Sequence, residues 1–175
     1  MQPAREDIVR LLLIELIKRK LQPTPWFIEK VMQIYEMLLV RHGLMIVGQS
    51  MGGKTTAYQI LAETLKELRK EKGQSSEEQG VSYRIINPKS ISMGQLYGSF
   101  DPASHEWSDG VLANTFREMV YTSSLERQWI IFDGPVDAVW IENLNTVLGE
   151  DHFESVVLSN VIVNIDFQMI TASYV

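Results

Sequence analysis

The string Gly48-Gln49-Ser50-Met51-Gly52-Gly53-Lys54-Thr55 constrains this chain more than anything else in it. It satisfies the spacing G-x-x-x-x-G-K-[ST] in full, and its surroundings fit. An apolar run, Leu44 to Val47, precedes it. An amphipathic stretch follows, with Tyr58, Leu61, Leu65 and Leu68 on one face, running to about Lys70. Strand, glycine turn and helix in that order make a phosphate cradle. Glycines let the backbone curl so that successive N–H groups point inward. The helix N-terminus behind them adds partial positive charge. Lys54 brings a full charge to the terminal phosphates, and the Thr55 hydroxyl is a hard oxygen suited to Mg²⁺. Gln49, Ser50, Met51, Gly52 and Thr56 complete the set expected to contact a nucleotide.

A loop of this kind needs an acid for the metal on a neighbouring strand. Trp129-Ile130-Ile131-Phe132-Asp133 supplies one, with Asp133 at the carboxyl end of an apolar run. Ligands bind at that end in open α/β sheets. Many ATPases place a Glu straight after the Asp, to orient and deprotonate the attacking water. Here that residue is Gly134, which has no side chain. Asp137 and Glu142 are the nearest substitutes, and a displacement of about an ångström is costly in catalysis. The residues therefore read as a site that binds Mg-nucleotide and lacks the usual means of hydrolysing it.

The rest of the chain alternates. Residues 5–21 have helical periodicity, with Ile8, Leu11 and Leu12 apolar and Glu15 and Arg19 charged, and Pro23 ends them. Thr24 is placed to cap a second helix with Pro25 at its first position. Phe27, Val31, Ile34 and Leu38 form its apolar face. Residues 71–80 are polar and predict a surface loop. Tyr83 to Asn87 predicts a strand stopped by Pro88, and residues 88–107 read as irregular. Ser108 is placed to cap a helix with Val111, Leu112, Thr115, Phe116 and Met119 on one face. A helical stretch is expected over 138–148, and strand from Val156 to Ile170. Strands alternating with helices predict an α/β domain with a mostly parallel sheet.

Composition removes other classes. Of 175 residues, 45% are hydrophobic and 22% charged, which excludes disorder throughout. The uncharged stretch Ser155 to Ile165 is too short to span a membrane. Acids and bases between Arg5 and Arg10 do not fit a secretory signal. There is no cysteine, so neither a disulfide scaffold nor cysteine-ligated zinc is available. The net charge of −6 argues against a general nucleic-acid partner. His105 and His152 have no acids at metal-ligand spacing, so no transition-metal site is expected. His42 reads as a packing or capping residue, Trp129 and Trp140 as core or sheet packing, and Trp107 as a mark of a partner surface.

Several segments resemble dynein heavy chains. They are His42-Gly43-Leu44-Met45-Ile46-Val47-Gly48, Asn87-Pro88-Lys89, Gln95-Leu96-Tyr97-Gly98 and Glu106-Trp107-Ser108-Asp109-Gly110. The stretch from Trp129 through Asp133-Gly134-Pro135 and Trp140 to Leu148 is similar to the second AAA+ module of the dynein ring, where Asp-Gly replaces Asp-Glu. The likeness covers roughly residues 5–148. Gln49-Ser50-Met51-Gly52-Gly53 resembles axonemal dyneins of an inner-arm type. The resemblance implies an AAA+ large subdomain of P-loop NTPase type that holds ATP or ADP with Mg²⁺ and serves as a structural part of a microtubule motor in cilia. It implies that Gly48, Gly53, Lys54 and Thr55 hold phosphates and metal, that Asp133 sits at the metal, and that Pro25 to Ile28 lie near the adenine. Neighbouring AAA+ modules are the implied partners, with microtubule contact through other parts of the parent and no membrane partner.

Gly149 to Val175 departs from that pattern, and no length remains for a helical lid. The expected division is a helical segment over 1–40, a P-loop core over 41–148 and a divergent tail over 149–175. Two alternatives stand beside this reading. One is an independent small P-loop NTPase or kinase. The other is a truncated interaction fragment that binds no nucleotide.

Overall fold

The computed structural model describes residues 5–41, 43–73, 80–122, 126–135 and 167–174. Two helices come first. α1 (Arg5–Lys18) buries Ile8, Leu11, Leu12 and Leu16, one stripe at helical spacing. Glu15 lies on that stripe too, buried to 4% exposure, with its carboxylate 3.0 Å from Lys18 Nζ. α2 (Pro25–Val40) starts where the sequence places it. Pro25 occupies the first turn, and the Thr24 hydroxyl accepts a hydrogen bond from the Phe27 N–H at 3.4 Å. Val31, Ile34 and Leu38 are buried on its inner face.

β1 (Gly43–Gly48) leads into α3 (Lys54–Lys72), which packs against both α1 and α2. β2 (Val81–Ile86), α5 (Val111–Tyr121), β5 (Arg127–Asp133) and β6 (Phe167–Tyr174) complete the main framework. Between β2 and α5 lie a 3₁₀ turn at Pro88–Ser90, α4 (Met93–Tyr97), and a ribbon of β3 (Gly98–Phe100) and β4 (Trp107–Asp109).

The described main sheet has the order β1-β6-β5-β2, with every pairing parallel. Alternate residues of β5 serve opposite faces, as strand geometry requires. Trp129 and Ile131 join the core formed with α1, α2 and α3. Ile130 and Phe132 join a second cluster with Leu96 of α4 and Met119 of α5. A strand covered on both faces must be apolar without interruption, which accounts for the run at Trp129 to Phe132.

The parallel α/β architecture is as the sequence predicts. Two details differ. The segment 88–107 is not irregular: Ser92 and Gln95 form a capping box at α4, and the β3–β4 ribbon follows. Ser108 does not cap α5, because it is paired with Ser99 in the ribbon, and Gly110 takes the cap position. The described part of the late strand spans 167–174 and lies between β1 and β5, and positions 156–166 of the expected strand lie outside the described residues. α1 and α2 share one buried cluster with α3, β2 and β5. His42, Asp137, Trp140, Glu142, His152 and the expected helix at 138–148 lie outside the described residues.

Candidate nucleotide-binding site

The loop from Gly48 to Gly53 joins the carboxyl end of β1 to the N-terminus of α3. Gly53 holds the cap position with φ of +80°, a left-handed conformation that favours glycine. It offers no side chain to the first N–H groups of the helix, and the first turn carries no acid. The amide end of a 19-residue helix is thereby kept for an external anion. Gly52 is needed for space: its N–H donates to Gln49 O at 3.1 Å, and a Cβ there would stand 3.0 Å from that oxygen. Met51 is fully exposed at the tip, with φ of +61°.

Lys54 is 8% exposed. Its Nζ donates to Gly48 O at 2.7 Å and to Gln49 O at 2.6 Å. The loop is curled round its own lysine, and phosphate oxygens are the natural replacement for these two carbonyls. Thr55 and Thr56 are half-buried in the first turn of α3, and Gln49 and Ser50 are exposed.

Asp133 ends β5 and is half-buried. It is registered with Ala172 of β6, and Gly48 with Tyr174. One intervening strand thus sets Asp133 about 10 Å across from Ile46, two residues short of Gly48, at the same carboxyl edge of the sheet. Thr55 and Asp133 supply hard oxygens at that edge, a donor set that suits Mg²⁺.

An open groove of about 890 Å³ continues from the loop along β1 and α2. That is within the size range of small-ligand sites. Trp26 and Phe27, from the segment Pro25 to Ile28, border it. Lys30, Gln33, Met37 and Arg41 also border it and were not singled out from the sequence. Their only signal is a spacing of three and four along α2. Asn87 and Pro88 pack beside Gly134, a contact that neither the strand stopped by Pro88 nor the resemblance at Asn87-Pro88-Lys89 indicates.

Comparison with known proteins fits this geometry. Residues 2–55 match the family model described as the hydrolytic ATP binding site of the dynein motor region. Dynein axonemal heavy chain 3 of Homo sapiens is 55% identical over 168 residues, 96% of this chain and 4% of that protein. Dynein axonemal heavy chain 12 of Rattus norvegicus is 50% identical over 151 residues, 86% of this chain and 5% of that protein. Dynein axonemal heavy chain 6 of Homo sapiens is 48% identical over 82% of this chain. An alignment that takes in 168 of 175 residues runs well past residue 148, so the later segment is shared with a relative and is not foreign to the family. The chain spans about 4–5% of the length of these curated relatives. With half or more of its residues identical over most of its length, and a phosphate loop built in full, the chain belongs to the axonemal dynein heavy chain family.

Proposed function

We propose that this chain binds Mg-ATP or Mg-ADP and holds it with little turnover, as the second AAA+ module of an inner-arm axonemal dynein. The observation that carries the reading is Gly134. It follows Asp133 at the carboxyl edge of the sheet, where a glutamate would otherwise orient water. The matching family model is described as hydrolytic, but its match ends at Thr55 and does not reach position 134. The relatives are dynein heavy chains, which displaces the reading as an independent kinase or NTPase.

Each residue then has a task. The loop amides from Gly48 to Gly53, with those of Lys54, Thr55 and Thr56, surround the phosphates. Lys54 exchanges its two carbonyl partners for phosphate oxygens. Thr55 and Asp133 hold Mg²⁺, which when bound neutralises phosphate charge. The base lies in the groove beside Trp26 and Phe27, where an aromatic face suits a purine. In the parent protein the module contributes structure to a ring of AAA+ modules in a ciliary microtubule motor, and the contact with the microtubule is made elsewhere in that protein.

The test is to purify the chain, denature it and identify the nucleotide released per mole. About one ATP or ADP per chain is expected, and none with Lys54→Ala. Because Lys54 also braces the loop, the thermal midpoint of that variant is measured in parallel. A folded wild-type chain that takes up no nucleotide from Mg-ATP would sink the proposal.

A further inference from the structure

Met51 stands at the tip of the phosphate loop in a conformation its residue type does not favour. The Gly52 N–H donates to Gln49 O at 3.1 Å and closes a turn over residues 49–52, with Met51 third in it at φ of +61°. A positive φ at that place favours glycine. The backbone has no use for a side chain there, and the side chain leaves the turn fully exposed. Of the other methionines whose burial is described, Met45 and Met37 are 50% and 45% exposed, Met93 is 36% exposed, and Met32 and Met119 are buried. The chain has no cysteine, so methionine supplies all of its sulfur. The turn is also tied to the phosphate-binding lysine. The Gln49 carbonyl that accepts the Gly52 N–H accepts Lys54 Nζ as well, at 2.6 Å.

We propose that Met51 is a modification site, oxidised by hydroperoxides to the sulfoxide, and that the sulfoxide weakens nucleotide binding. The second part rests on the nucleotide-holding function proposed above. In the oxidation a sulfur lone pair attacks one oxygen of hydrogen peroxide. The S–O bond forms as the O–O bond breaks, the proton on the transferred oxygen passes to the departing hydroxide, and water leaves. Sulfur gives up two electrons and the peroxide takes them. A thioether needs no deprotonation and no neighbouring base, so exposure sets the order of reaction among the methionines. The product carries a polar S–O group, its oxygen negative, on a side chain with three rotatable bonds. At the tip of the loop, such a chain lets that oxygen fold back onto the amides of its own turn, the groups that receive phosphate oxygens. It competes for those donors and repels the anion, and the apolar thioether does neither.

Wild type and Met51→Leu are treated with hydrogen peroxide, and the oxidised positions are followed in time by peptide mass mapping. Met51 is expected to oxidise ahead of Met37, Met45 and Met93. The affinity of each chain for Mg-ATP is measured before and after treatment. Wild type should weaken by about threefold to tenfold, the worth of one hydrogen bond. Met51→Leu should keep its own untreated value. Methionine sulfoxide reductases, one for each sulfoxide epimer, should restore the wild-type affinity. Oxidation of Met37 or Met45 as fast as Met51 would overturn the modification site. Equal weakening in both chains, or an oxidised Met51 with unchanged affinity, would overturn its effect on the nucleotide. A chain that binds no Mg-ATP before treatment would sink the function proposed above and this effect with it, and the order of oxidation would still decide the site.

Discussion

Lys54 and Gly53 show how much of the site is set within a few residues. Lys54 folds back on Gly48 and Gln49, so the loop holds its lysine bonded to two carbonyls in a part-buried place. Gly53 sits at φ of +80°, and a Cβ there would meet Phe27 Cε2 at 3.3 Å. Gly53→Ala therefore combines left-handed strain with a contact against α2. It is expected to lower unfolding free energy by about 1–2 kcal/mol, read from the urea midpoint. These requirements are local, which is why the eight-residue string was legible without a structure. Asn87 was not legible in the same way. Its place beside Gly134 depends on the register between β2 and β5, and no short spacing in the sequence encodes that pairing.

Among the elements, the helices that could be read from sequence carry their own signals. Thr24 and Pro25 mark the start of α2 with a side-chain cap and a fixed φ, and nothing elsewhere in the fold opposes them. The β3–β4 ribbon is the counter-example. Its strands are three residues long, and its connection is too long for a two-residue turn signature. Strand pairing took Ser108 away from the cap role its residue type suggests. The Ser92 and Gln95 capping box, by contrast, is a local signal carried by a spacing of three residues. The ribbon is held by an edge-to-face contact of Phe100 with Trp107, centroids 5.0 Å apart, and by Trp107 Nε1 donating to Asp109 Oδ1 at 2.9 Å. Arg117 pairs with the other Asp109 oxygen. The hydrogen bond from Arg117, and then that from Trp107, holds the Asp109 carboxyl below its ordinary value of 3.8. A lowered value in the fold means the contribution is present above pH 3.8 and is lost as pH falls through the folded value. The near-ultraviolet dichroism of Trp107, isolated by difference from Trp107→Phe, should fade over that acid range. With Asp109→Asn the acid dependence should vanish.

Across the whole molecule, the helical layer of α1, α2 and α3 is held by buried apolar surface more than by charge. Leu12 is fully buried in the shared cluster, and Leu12→Ala is expected to cost about 2–5 kcal/mol. Arg10 meets Glu71 at 2.5 Å and Lys72 meets Asp7 at 2.7 Å, joining α1 to α3. Both pairs are substantially exposed, and solvent screens them. Arg10→Ala should therefore leave the urea midpoint nearly unchanged while Leu12→Ala moves it. Equal shifts would mean that charge, not packing, binds the first helix to the domain. The sheet's two faces are unequal as well. Leu44 and Ile46 pack towards the helical layer, whereas Met45 and Val47, on the other side of β1, are about half exposed.

β1 and β5 do not pair with each other; β6 lies between them. β6 is also the last of the described elements to leave a ribosome. Until residues 167–174 emerge, β1 with its helices and β5 with β2 are two half-sheets whose inner edges have no strand to join them. Closing them requires a strand from late in the chain to enter parallel between two earlier ones, and non-local parallel pairing is slow. While the residues between Asp133 and Phe167 are made, β1 and β5 await the strand that pairs with both, and unpaired edges are the condition in which strands recruit wrong partners. Assembly of this domain is governed by when its central strand arrives, and a chaperone that shields those edges would act in that interval.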